Sequence, residues 1–145
     1  MNIELAVRAD VDATPDQVWA VVADYARDPQ WRHGVETMDP TPAGPVHPGQ
    51  CTDERMRFAG RRYRNRGGVV EVGPGRRFRW RITDGIDAEG GRVVEDVGGG
   101  RSRVRLEMLV RPQGAADRLL SPLLRIMLRR ALRADLARLR VLVER

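Results

Sequence analysis

Glu54 shares strand parity with Thr52, Met56 and Phe58, so an alternating segment that turns its apolar side inward carries a carboxylate in with it. A carboxyl in apolar surroundings has a raised pKa and can act as a general acid or base. Its partner depends on the turn at Ala59-Gly60. A two-residue turn sets Glu54 opposite Asn65, with Tyr63 beside Met56, and gathers a polar cluster that can move a proton or hydrogen-bond a carbonyl. A bulged turn with Gly60 left-handed slips the pairing by one residue and sets Glu54 against Arg64 as a structural ion pair. Both registers are open on the sequence, and Glu54, Tyr63 and Asn65 are the candidate catalytic residues.

Other residues that could do chemistry carry plainer alternatives. Arg92 has the parity of Val94, and an inward arginine suits a ligand carboxylate or other ligand oxygen, although snorkelling to solvent is its simpler fate. Asp135 lies between Arg133 and Arg138 and reads as a surface charge. Trp80 points inward on an alternating segment as core or cavity wall, whereas Trp19 belongs to a helix packing face. Cys51 has no neighbouring His or basic residue to make it a thiolate nucleophile, and as the one cysteine it has no internal disulfide partner. With His33 and His47 as the two histidines, no histidine-rich metal site can be built. No Ser/His/Asp set, phosphate loop or dinucleotide glycine pattern can be assembled, so no cofactor is expected.

The elements that must position these residues are legible from periodicity. Ile3, Leu5, Val7, Ala9 and Val11 alternate with polar residues as a half-buried strand over 2–12. Thr14-Pro15-Asp16-Gln17 combines a capping Thr, Pro at the first helical position and Gln three residues on, which predicts a short helix carrying Val18, Trp19, Val21, Val22 and Tyr25. Asp28-Pro29 opens a second short helix that includes Trp31 and ends near Gly34. Residues 39–49, with four prolines, read as a connection between strands. Strands follow over 52–58 and from Arg61 to Val72, the latter with a bulge or bend at Gly67-Gly68. Phe78, Trp80 and Ile82 alternate with Arg77, Arg79 and Arg81 in the next, and a weaker strand includes Arg92 to Val97. After the glycines 98–100, Val104, Leu106, Met108 and Val110 share one strand face. From about Ala116 to Glu144 the apolar spacing becomes helical, with Leu120, Leu124, Met127 or Leu128, Ala131 or Leu132, Leu136, Leu139 and Val143 in one broad stripe. Segregated strands and helices give an α+β class, and 145 residues fit one domain, 1–145.

All 26 basic residues are arginine against 20 acids, a net charge of +6. Arginine without lysine fits a GC-rich coding sequence. The acids are interspersed and there is no basic arm, so specific nucleic-acid binding is not expected. No apolar run is long enough to span a bilayer, the N-terminus lacks the pattern of a secretory signal, and a cytoplasmic location is expected. A homodimer is compatible with the sequence.

The stretch VDATPDQVWAVVADYARDPQWRHGV over 11–35 resembles the opening of the polyketide cyclase/dehydrase-like branch of the SRPBCC superfamily, the START and birch-pollen-allergen-like helix-grip proteins. The likeness continues through VEVGPGRRFRW at 70–80, the glycine turn before Arg101 and the Leu- and Arg-rich last helix. The resemblance implies a curved antiparallel sheet of about six to seven strands wrapped around a long C-terminal helix, two short helices after strand one, and a cavity for a hydrophobic or amphipathic small molecule. It also brings Trp31 and His33 to the cavity mouth. The residues agree: an apolar concave face and an apolar helix stripe must face each other, and two Phe, two Tyr and three Trp are few to fill the space as solid core. The expected cavity residues are Trp31, Met56, Phe58, Phe78, Trp80, Arg92, Leu106, Met108, Leu124 and Leu128. Three functions fit: a cyclase, aromatase or dehydratase acting on a polyketide-like substrate, a non-enzymatic carrier or sensor of hydrophobic metabolites, or an interaction module. The last would use the convex arginines Arg55, Arg57, Arg77, Arg79, Arg81, Arg103 and Arg105.

Overall fold

Alternation of apolar and charged residues makes β1 (Ile3–Val11), whose Ile3, Leu5, Val7 and Val11 are buried in the computed structural model, which describes residues 2–145. Thr14 then caps α1 (Pro15–Val22): its hydroxyl accepts from Gln17 N while the Gln17 side chain accepts from Thr14 N, the reciprocal capping box. A single 3-10 turn (Tyr25–Arg27) leads into α2 (Asp28–Trp31).

Six strands follow, β2 (Val35–Thr41), β3 (Cys51–Phe58), β4 (Arg61–Gly73), β5 (Arg77–Asp84), β6 (Ala88–Gly98) and β7 (Arg101–Val110). They form one antiparallel sheet in the order β1-β7-β6-β5-β4-β3-β2. The proline-rich connection expected from residue 39 onward begins later than that, because β2 runs through Pro40 to Thr41. β2 is an edge strand of the sheet, where a residue without an N–H donor is tolerated. β6 likewise extends further back, to Ala88, than its weak pattern suggested.

Glycines let strands approach at two places. A Cβ at Gly67 would meet the backbone of Arg81 and Ile82, and the β4–β5 register shifts there, so the expected bend is real. On β6, Gly90 leaves the space into which the Trp80 indole settles.

The long apolar stripe is divided. α3 (Ala115–Leu119) stops at Leu120, and Pro122 sits in the first turn of α4 (Ser121–Val143), where its missing N–H breaks no helical bond. The second half of α4 buries Leu136 and Leu139 against β1, α1 and α2, closing a core with Val18, Val22, Trp31, Phe78 and Val104. Leu124, Leu128 and Leu132, in its first half, instead face open space under the concave sheet.

Candidate functional site

The turn between β3 and β4 fixes the site. Ala59 and Gly60 both have positive φ, 53° and 77°, so the hairpin closes on two residues and pairs Glu54 with Asn65, Met56 with Tyr63 and Arg55 with Arg64. Glu54 therefore faces Asn65, and Arg64 lies on the other face, where it binds Asp53 at 2.8 Å. That hydrogen bond from Arg64 holds the Asp53 carboxyl below the usual range. Arg103 does the same to Asp10 on the convex face, and Arg57, Arg77, Arg79 and Arg105 also have carboxylate partners there.

Between the concave sheet and α4 lies a cavity of about 720 Å³. Apolar side chains make most of its wall, among them Met56, Phe58, Trp80, Leu106, Met108 and Leu128. Tyr63 and Leu124 line it as well. Phe78 does not, against expectation. Its inward parity is right, but it sits where α1 and the 3-10 turn cover the sheet, only 1% exposed, with Trp19 and Tyr25 packed edge-on at 6.2 and 5.6 Å. It is core.

One side of the cavity carries a continuous chain of buried polar groups. Asn65 Nδ2 donates to Glu54 Oε1 at 3.1 Å, and Asn65 Oδ1 accepts from Ile86 N at 3.0 Å. Arg32 Nη1 donates to Glu54 Oε2 at 2.6 Å and to Asp28 Oδ2 at 3.1 Å. Asp28, fully buried, accepts two further bonds from Arg92, at 2.9 and 2.7 Å. Arg92 also donates to Val22 O, and its guanidinium lies against the rings of Tyr25, Trp31 and Phe78 at 4.9, 4.9 and 5.4 Å. So Arg92 does not snorkel. It is 4% exposed because Asp28, on α2, reaches the inner face of β6 and supplies the counter-charge.

The chain alternates in sign, Arg92, Asp28, Arg32, Glu54, and is neutral as a unit. Burial alone would lower the Arg32 pKa, but the carboxylates of Glu54, Asp28 and Asp135 outweigh it and raise it, so Arg32 stays charged. The Tyr25 phenol is pushed up by burial and stays protonated.

Asp135 is the group that its neighbours in sequence concealed. It is not a surface charge: it is 7% exposed, lines the cavity, and accepts one close hydrogen bond, from His33 N at 2.9 Å. Arg138 approaches it only to 3.5 Å. Burial raises its pKa, against the pull of the His33 N–H and the surrounding arginines. No signal in the sequence marked Asp28 or Arg32 as members of the site beyond their place in the short second helix. His33 itself contributes its backbone here. The Trp31 indole N–H, on the cavity wall and 1% exposed, has no acceptor among the described residues. Among those residues there is also no cluster of three or more His, Cys, Asp or Glu that would hold a metal ion, and no helix long and apolar enough to cross a membrane. Cys51 is exposed.

A curved sheet gripping a C-terminal helix over a mostly apolar cavity with one polar side narrows the field, and the sequence comparison decides it. A family model described as "Polyketide cyclase / dehydrase and lipid transport" matches residues 2–144. The chain belongs to this family. Among solved structures of the same fold is the Zhui aromatase/cyclase from Streptomyces sp. R1128, with a TM-score of 0.84 and 17% identity over 100% of this chain and 95% of that one. A START superfamily protein from Mycobacterium smegmatis gives 0.80 and 13% over 97% of each chain. A Thalictrum norcoclaurine synthase point mutant in complex with a transition-state analogue gives 0.69 and 14% over 99% and 94%. At such identities these establish the helix-grip fold and nothing finer. No curated protein resembles the chain closely enough to count as a match. Membership of the polyketide cyclase/dehydrase and lipid transport family supports binding of a hydrophobic small molecule.

Proposed function

We propose that the cavity binds an amphipathic, oxygen-bearing small molecule of polyketide-like character and holds it for a proton-transfer step such as a cyclisation or dehydration. The observation that carries this reading is an apolar chamber of about 720 Å³ with ionisable and hydrogen-bonding groups gathered on one side. A pure lipid site has no use for Asp135, whose pKa is raised by burial and whose carboxylate has a single close partner.

The roles follow from which groups are already satisfied. Glu54 is engaged by Arg32 and Asn65, so it is poorly placed to take a proton and instead holds Arg32 at the cavity wall. Arg32 and Tyr63 can orient ligand oxygens, and the Trp31 N–H offers a further donor. Asp135, whose pKa burial raises, is the group that can exchange a proton with substrate. Confining a flexible chain among the apolar walls supplies the entropic part of the catalysis.

A carrier function is the second reading, favoured by the internal saturation of Glu54, Asn65, Asp28 and Arg92, which need no ligand to complete their bonds. Native mass spectrometry of protein purified from its own host would identify a retained small molecule. The isolated ligand is then incubated with wild type and Asp135→Asn. The enzymatic reading expects chemical conversion by wild type, at least tenfold slower in the variant, with binding retained. Unchanged ligand in both reactions would leave the carrier reading.

A further inference from the structure

Four of the large apolar side chains that remain exposed fall within eight residues: Leu119 at 81%, Leu120 at 48%, Leu123 at 52% and Ile126 at 55%. They occupy α3 and the first turns of α4. On α4, Leu123, Ile126, Arg130 and Arg133 recur at three- and four-residue spacing and share the face turned away from the cavity-lining Leu124, Leu128 and Leu132. Arg118, Arg125 and Arg129 add to the same segment. Between Asp117 and Asp135 there are five arginines and no acid, and none of the five lies within ion-pair distance of a carboxylate among the described residues. The convex arginines with carboxylate partners, such as Arg64 and Arg103, present the opposite situation.

From this juxtaposition we propose that α3 and the first half of α4 form an interfacial docking element that seats the cavity on an anionic lipid bilayer. Leu119 and Ile126 protrude from the helical surface outside the cavity, so the surface that accepts them must be deformable. Unpaired guanidinium groups beside them require negative charge, and an anionic lipid interface supplies both. The position is informative: Leu120 and Leu123 belong both to this surface and to the cavity wall. A docked molecule therefore offers an apolar path from acyl chains to cavity, by which an amphipathic ligand enters or leaves without crossing water.

Docking is tested without any ligand, so it stands or falls separately from the function proposed for the cavity. Full-length protein is sedimented with vesicles of phosphatidylcholine alone and of phosphatidylcholine mixed with phosphatidylglycerol. Binding is expected to the mixed vesicles only and to weaken as salt rises. The Arg125→Gln/Arg130→Gln/Arg133→Gln variant should lose about fivefold in affinity per arginine, on the order of a hundredfold in all. Leu119→Gln/Ile126→Gln, which alters two well-exposed side chains, should lose on the order of tenfold with an unchanged melting curve. Failure to bind the mixed vesicles, or binding unaffected by Leu119→Gln/Ile126→Gln, would overturn the proposal. So would capture by an acidic carrier protein through these residues with no vesicle binding.

Discussion

Asp28→Asn is expected to be the most damaging single exchange in the buried charge chain, and its cost can be worked from the geometry. Asp28 is fully buried and, among the described residues, is the only carboxylate bonded to Arg92, through contacts of 2.9 and 2.7 Å, while also accepting from Arg32 at 3.1 Å. The amide leaves the Arg92 guanidinium without a counter-ion among Tyr25, Trp31 and Phe78, and turns an N–H₂ donor toward one of two guanidinium groups. Leaving one member of a buried ion pair uncompensated costs about 3–5 kcal/mol. The ring faces do not soften this, since they act equally in the wild type. Arg92→Met removes the other partner but leaves Asp28 its bond from Arg32, so it should cost less, about 1–3 kcal/mol. The double variant should fall well short of the sum. Urea denaturation near pH 7, with slopes compared to check that the transition is two-state, measures all three. A loss below about 1 kcal/mol for Asp28→Asn, or a larger loss for Arg92→Met, would refute this account of the chain.

Three further outcomes follow from the same geometry. Because burial raises the Asp135 pKa in the folded protein, ionising it opposes folding, and that penalty grows as pH rises from the ordinary aspartate range through the raised value. Asp135→Asn, which can still accept from His33 N, should therefore gain stability over wild type at neutral pH, a gain that shrinks on acidification in paired denaturation curves. Glu54→Gln should preserve the hairpin but loosen Arg32, weakening displacement of a fluorescent hydrophobic probe and costing about 1–3 kcal/mol in the same urea assay. Ala59→Asn, at φ 53°, should stabilise the β3–β4 turn by about 0.5–1 kcal/mol, read as a rise in melting temperature.

Much of the fold was legible because strand alternation, the capping box and the helical stripe are local signals. The hairpin register was narrowed to two choices and no further, since alanine is a poor residue for positive φ and does not announce a two-residue turn. The site was less legible for a different reason: its key bonds join distant parts of the chain. Asp28 reads as a helix start, yet it meets Arg92 across 64 residues, and Asp135 reads as solvated beside Arg133 and Arg138 until His33 N is found 102 residues away. Phe78 shows the complementary limit. Parity gives the face of a strand but not which stretch of that face is roofed by helices.

The vacant side-chain position at Gly90 reaches further than its own strand. An ideal Cβ there would run into the Glu107 carbonyl oxygen and lie 2.5 Å from the Trp80 indole, so a side chain at this place would collide with both the β7 backbone and the ring. The width available to a ligand is thus set partly by an atom that is missing behind the wall, at a residue that a guest need never touch. The glycine therefore keeps the ring flat against the sheet, and a smaller residue in place of Trp80 would admit a broader molecule. The chamber can be retailored in this way without disturbing the charged groups that give it chemistry.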